Sequence, residues 1–292
     1  MFDILKVILP TFFVILIGYF IGRIKNMDMA SIVDLVIYIA LPAITFTSML
    51  EKNIILLDAS KVWASALMIQ FGCGLVAWLV FKLLRQKHSG LFIPIMLMNT
   101  VNIPFPIIYL VYGNEGLFAA TLFYIPNVIL LYSLGVYIAS GKGWKASFKE
   151  VLKVPPIFAA ILGLILNLMN VTVPQLIIDP LNFIGMTATP LVLIVLGANL
   201  SKVKITSLPT TLVAAAIRLG VGLGLGFLVV NLFHLTGVIR SVVLLDSAMP
   251  AAVNGAMLTT KYKNEADLVS SVVLVTTLAS LVMIPFLLII LS

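Results

Sequence analysis

Charge is what this sequence has least of. Only 10% of its 292 residues are Asp, Glu, Lys or Arg, against about a quarter in soluble globular domains. With 62% hydrophobic residues and a mean hydropathy of +1.19, the chain reads as a polytopic membrane protein. Cysteine is nearly absent. Cys73 stands alone in an apolar stretch, which excludes an intrachain disulfide and makes it a packing residue. The two histidines, His88 and His234, sit far apart at loop edges without metal-ligand spacing, so no metal or cofactor is expected. No Walker motif, nucleophile motif or H-E-x-x-H pair occurs, which argues against ATP-driven pumping by this chain and against an intramembrane enzyme. The net charge of +7 lies in short loops rather than on one basic face, so nucleic acid is not an expected partner.

What is abundant is long apolar sequence. Ten bilayer-length spans can be drawn: 4–22, 32–50, 62–84, 91–112, 117–139, 154–169, 180–200, 208–233, 239–260 and 268–291. Asp3 stands where a cleavable signal would carry positive charge, so the first span is read as a retained helix. The loops are short. The longest, 140–153, carries four lysines beside Trp144 and divides the chain into a first five-helix repeat, 1–139, and a second, 154–292.

Orientation follows from Lys and Arg at the span ends. Loops after the odd-numbered spans hold Arg23 and Lys25; Lys82, Arg85 and Lys87; Lys142, Lys145, Lys149 and Lys153; Lys202 and Lys204; and Lys261 and Lys263. The other side holds Lys6, Lys52, Lys61 and Arg240. Thirteen against four places the odd loops in the cytoplasm and both termini outside the inner or plasma membrane.

The halves look related. Pro10 and Gly18 recur as Pro155 and Gly163 at the same interval, Pro42 as Pro190, and Val101-Asn102 as Val253-Asn254. The exits Gly113-Asn114-Glu115 and Lys263-Asn264-Glu265 also correspond. An odd number of spans per half makes the second repeat inverted, an arrangement common in secondary transporters.

Chemistry concentrates at two proline-bearing stretches, 98–106 and 249–255. Pro104, Pro106 and Pro250 cannot donate backbone hydrogen bonds, so each span should break at mid-membrane, where a break survives only inside protein or beside a watery cavity. Asn99, Asn102 and Asn254 offer amides beside half-helix ends whose N-termini favour an anion. Asn127 and Tyr132 could border the same cavity. Arg218 and Asp246 fall at similar depths in spans eight and nine, which suggests a buried ion pair with a coupling or structural role. Within that pair Arg218 could also steady an anion or the carbonyl ends of a half-helix. Alternating glycines at 220, 222, 224 and 226, like Gly18 and Gly22, read as close helix packing.

Residues 38–46, Tyr-Ile-Ala-Leu-Pro-Ala-Ile-Thr-Phe, resemble the second-helix signature of the auxin efflux carrier family. Residues 196–200, Leu-Gly-Ala-Asn-Leu, resemble the end of its seventh helix, and Thr276-Thr277-Leu278-Ala279-Ser280 with Pro285 resembles its last. The resemblance implies an all-α NhaA-like fold of ten transmembrane helices in two inverted repeats. Broken helices 4 and 9 would cross at the substrate site, with an elevator-like movement and homodimers. It implies Pro104 and Pro250 as crossover prolines, Asn102 as a crossover asparagine and Asn127 as a polar fifth-helix residue. Asp58 and Lys61 resemble an acidic and basic pair of the plant carriers, at a spacing that differs by one. The long central loop of those carriers is missing, and the short form is similar to prokaryotic permeases of organic acids. The expected function is therefore secondary transport of a small organic anion across the lipid bilayer. The alternatives are a sodium-coupled bile-acid-type symporter on the same fold and a membrane receptor that does not transport.

Overall fold

The computed structural model describes residues 2–25, 29–50, 56–141 and 143–291. Lys52 and Lys142, counted above, lie outside them, as does the side chain of Lys6. The described residues are helical throughout, apart from turns and one isolated β-bridge. In order the helices are α1 (Phe2–Ile24), α2 (Ala30–Leu50), α3 (Leu56–Leu83), α4 (Phe92–Met96) and α5 (Pro104–Ser140). Then come α6 (Trp144–Val151), α7 (Pro155–Leu168), α8 (Gln175–Gly185), α9 (Ala188–Leu200) and α10 (Leu208–Leu232). The last three are α11 (Gly237–Ser247), α12 (Val253–Tyr262) and α13 (Ala266–Leu291). Among the described residues, six helical stretches are long and apolar enough to cross a membrane, which makes this a polytopic membrane protein.

Two packed groups organise these helices. α1 lies along α9, and α2 lies along α7. Both pairs depend on a glycine where two backbones meet. A Cβ on Gly18 would strike the Ile194 carbonyl of α9, and a Cβ on Gly163 would lie 2.8 Å from the Phe46 carbonyl of α2. The second group gathers α3, α5, α10, α11, α12 and α13 around the short α4.

Several boundaries differ from the spans drawn by hydropathy. α3 begins six residues before position 62, because Asp58 and Lys61 continue the helix with their side chains 3.8 Å apart. α5 joins two expected spans and bends at Gly113, whose φ of +60° is left-handed. Lys263, the matching residue at the second exit, has φ +56°. The basic central segment, read from sequence as a loop, contains the helix α6. Trp144, Phe148 and Leu152 expose one apolar face there beside Lys145 and Lys149, the pattern of a helix lying on a membrane surface. Beyond it, Lys153 donates to Glu150 at 2.8 Å, and that bond raises the Lys153 ammonium above its ordinary value.

Three π-helical turns, Val36–Ala40, Leu131–Gly135 and Ile217–Val221, interrupt α2, α5 and α10. Such turns insert a residue and re-aim the side chains around it. Ile37, Tyr132 and Arg218 lie on these turns, and all three approach the site described next.

Candidate functional site

Between α4 and α5 the chain leaves helical geometry over 97–103, and between α11 and α12 over 248–252. Pro104 is the first residue of α5 and Pro106 the third, where no backbone donor is needed. The prolines therefore restart the first helix, and its break precedes them. Pro250 sits inside the second break.

The two breaks are bonded to each other. Met98 and Ala251 form an antiparallel bridge, with Asn99 N–H donating to the Pro250 carbonyl at 2.8 Å and Ala252 N–H to the Leu97 carbonyl at 3.0 Å. Each break thus satisfies part of the other's exposed backbone, as a membrane interior requires. Side chains complete the pairing. Asn127 donates to the Met98 carbonyl and to Thr100 Oγ1, both at 3.0 Å, and accepts from Met98 N–H at 3.3 Å and from Gln70 Nε2 at 3.1 Å. Its amide is then saturated. On the other strand, Thr276 of α13 accepts from Ala251 N–H at 3.1 Å.

Arg218 is fully buried. Its Nη1 donates to the Ile95 carbonyl at 3.2 Å and its Nη2 to the Ser247 carbonyl at 2.5 Å. Those carbonyls belong to the C-terminal ends of α4 and α11, the ends that carry partial negative charge. The expected pair with Asp246 is not formed: both Asp246 carboxylate oxygens are buried with no hydrogen-bond partner among the described residues. Helix phase explains this. α10 meets α11 at Ser247, since a Cβ on Gly226 would strike the Ser247 side chain, and residue 246 lies about 100° round the helix. Gly222 and Gly226 are thus packing glycines, whereas Gly220 and Gly224 face open space.

Against the crossing lies a cavity lined by Asn99, Asn102, Tyr124, Asn127, Tyr132 and Asn254, with Ile37 and Leu41 of α2. It is tight, with a volume of about 40 Å³. The Asn99 Oδ1 accepts from Asn102 N–H at 2.9 Å, and its buried Nδ2 has no partner among the described residues. The N-terminal residues of α12, Val253 and Asn254, form part of the wall. Pro104 and Pro250 shape the crossing without lining this cavity, and Asp246 lies apart from it. Sequence reasoning missed Tyr124, Gln70, Thr100 and the bonding role of Thr276. Gln70, a lone amide in an apolar span, was the visible signal.

Adjoining cavities lead away from the crossing. One shares Asn102, Val253 and Asn254 with the first, and shares Asn199 and Met257 with a vestibule of about 740 Å³. That vestibule is lined by Lys202, Lys204, Lys261 and Asp267. A separate cavity of about 420 Å³, walled by Ser48, Tyr109, Asn114 and Asn182, lies beyond the start of α5 and carries no charged residue.

A family model described as membrane transport protein matches residues 3–151 and 144–288. The chain belongs to this family, the auxin efflux carrier type. It is 29% identical over 297 residues to an uncharacterized transporter of Methanocaldococcus jannaschii, covering 96% of each chain. It is 26% identical to an uncharacterized transporter of Methanothermobacter thermautotrophicus, again over 96% of both. The uncharacterized transporter YfdV of Escherichia coli is 24% identical over 87% of each chain. This member of the auxin efflux carrier family is accordingly a multi-pass membrane transporter.

Proposed function

We propose that this transporter is a secondary carrier of a small organic anion such as a carboxylate, with the crossover cavity as its substrate site. One observation carries the reading: Arg218 spans the carbonyl ends of both incoming half-helices. Each such end carries at most roughly half a negative charge, so one guanidinium can offset the two. What faces the cavity is the N-terminal start of α12, the segment leading into α5, and the amides of Asn99, Asn102 and Asn254. An anion's oxygens fit such ends, and the unpartnered Asn99 Nδ2 offers one of them a buried donor.

We further read the helices as ten crossings in two inverted repeats, 1–139 and 154–292, joined by 140–153. Matched features support this: Gly18 on α9 and Gly163 on α2, the left-handed exits at Gly113 and Lys263, and Asn127 and Thr276 each bonding its own half's break. The group formed by α1, α2, α7 and α9 would be the scaffold. An elevator-like movement would carry the crossover group past it, exposing the cavity in turn to the lysine vestibule, read as cytoplasmic, and to the uncharged one outside.

The test is labelled flux in proteoliposomes for mono-, di- and tricarboxylates and indole acetate, with wild type compared to Asn102→Ala and Asn254→Ala. Saturable uptake of one anion that both variants weaken is the expected result. Wild-type protein that carries none of them under proton or sodium gradients would overturn the reading.

A further inference from the structure

The end of α3 carries a cavity unconnected with the crossover. It encloses about 610 Å³ and is lined by Trp78, Phe81, Lys82, Arg85, Lys87 and His88, among others, with no carboxylate in its wall. Glu265, the acid beside it, is held by the wall and the loop that follows, accepting from His88 Nδ1 at 2.6 Å and from Gly90 N–H at 2.7 Å. Lys82, Arg85 and Lys87 have no ion-pair partner among the described residues. Lys82 instead stands over the Trp78 ring, 4.7 Å from its centroid.

An apolar track runs up to this cavity. Met68, Phe71, Leu75, Trp78 and Leu79 are all exposed, and their spacing places them on one face of α3. From Met68 to Lys82 that face extends about 21 Å at 1.5 Å per residue, enough to run alongside an acyl chain of one bilayer leaflet. The combination of an acyl-length apolar face ending in three cations without an ion-pair partner among the described residues matches one chemistry. We propose that this cavity binds the headgroup of an anionic phospholipid, with its acyl chains lying on the Phe71, Leu75 and Trp78 face. A zwitterionic headgroup would bring its own cation against Lys82 and Arg85, and a free phosphate would leave the apolar face unused. The inference does not depend on what the transporter carries.

The site adjoins both half-helices of the crossover. Phe92, in its wall, begins α4, and His88 and Gly90 tie the same loop to Glu265 between α12 and α13. A bound lipid would therefore touch the loops that start one half-helix and follow the other.

The experiment is retention of phospholipid by the purified full-length transporter, read by native mass spectrometry after exposure to phosphatidylglycerol or phosphatidylcholine. Wild type should retain phosphatidylglycerol selectively, and the Lys82→Gln/Arg85→Gln/Lys87→Gln variant should bind it on the order of 100-fold more weakly, from the contribution of each basic residue near an anionic headgroup. Equal retention by the variant, or equal retention of phosphatidylcholine by wild type, would overturn the proposal. So would displacement of the lipid by inorganic phosphate, which would mark a free-anion site. A reading in folded wild-type protein backs this up. Brominated phosphatidylglycerol should quench the fluorescence that Trp78→Phe removes, and brominated phosphatidylcholine should not. Equal quenching by the two lipids would also refute it.

Discussion

The Arg218 guanidinium and the Ser247 carbonyl are joined by a 2.5 Å hydrogen bond in which one fully buried cation meets the end of a helix rather than an acid. The second arm of the same guanidinium does the same for Ile95. The neighbouring Asp246 is left without a partner among the described residues. Charge in this core is balanced by backbone dipoles, which ties the electrostatics of the site to where its helices stop.

Removing that cation should cost stability as well as function. Arg218→Met leaves the Ile95 and Ser247 carbonyls without their donors, and charged hydrogen bonds contribute about 1.5–3 kcal/mol each. A loss of about 3 kcal/mol or more is expected. Arg218→Lys, with a single compact head in place of a fork, should fall between wild type and Met. Thermal unfolding in a common detergent checks both, and a variant as stable as wild type would mean that water replaces the guanidinium.

The alternating glycines of α10 give a paired comparison. A Cβ on Gly222 would collide with Arg218 Nη2 and lie 2.7 Å from the Ser247 carbonyl, while Gly220 has nothing within 4 Å. Gly222→Ala should destabilise by about 1–3 kcal/mol. Gly220→Ala should be neutral or add about 0.5–1 kcal/mol through helix propensity. Equal shifts in unfolding temperature would show that the guanidinium can step aside.

Asn127 and Asn254 should separate stability from transport. Asn127→Leu strands both main-chain groups of Met98, together with Gln70 and Thr100, and is expected to lower stability by about 2–4 kcal/mol. Asn254→Ala removes a half-buried amide that holds no such set, so its unfolding temperature should stay near wild type while flux falls. Stability and flux measured on the same preparations decide the matter.

Much of this was legible in the sequence because the membrane narrows the options. Pro104 and Pro250 in apolar spans announced two breaks. Register was harder. Prolines favour the first turn of a helix, so the first break fell earlier than the residues that signalled it. The carbonyl end of a half-helix was a readable contact for Arg218, whereas its pairing with Asp246 failed because depth along a span was visible and angle around it was not. A π-helical turn in α10 and the stop of α11 at Ser247 set that angle. Gln70, Thr100 and Thr276 carried too little local pattern to reveal that they bond the crossing.

The bridge between Met98 and Ala251 also imposes an order on synthesis. The N–H of Asn99 waits for the Pro250 carbonyl, 151 residues later in the chain, and the Leu97 carbonyl waits for Ala252. At about 5–20 residues per second, the first break spends roughly 8–30 s before its partner emerges from the ribosome. Asn127 arrives well before that, and its bonds to Met98 come from within the first half. It can hold the unfinished segment until the second half is inserted. A chain stopped after α5 would keep this temporary clasp but never receive Arg218 or residues 250–252, and it should be a substrate for membrane quality control.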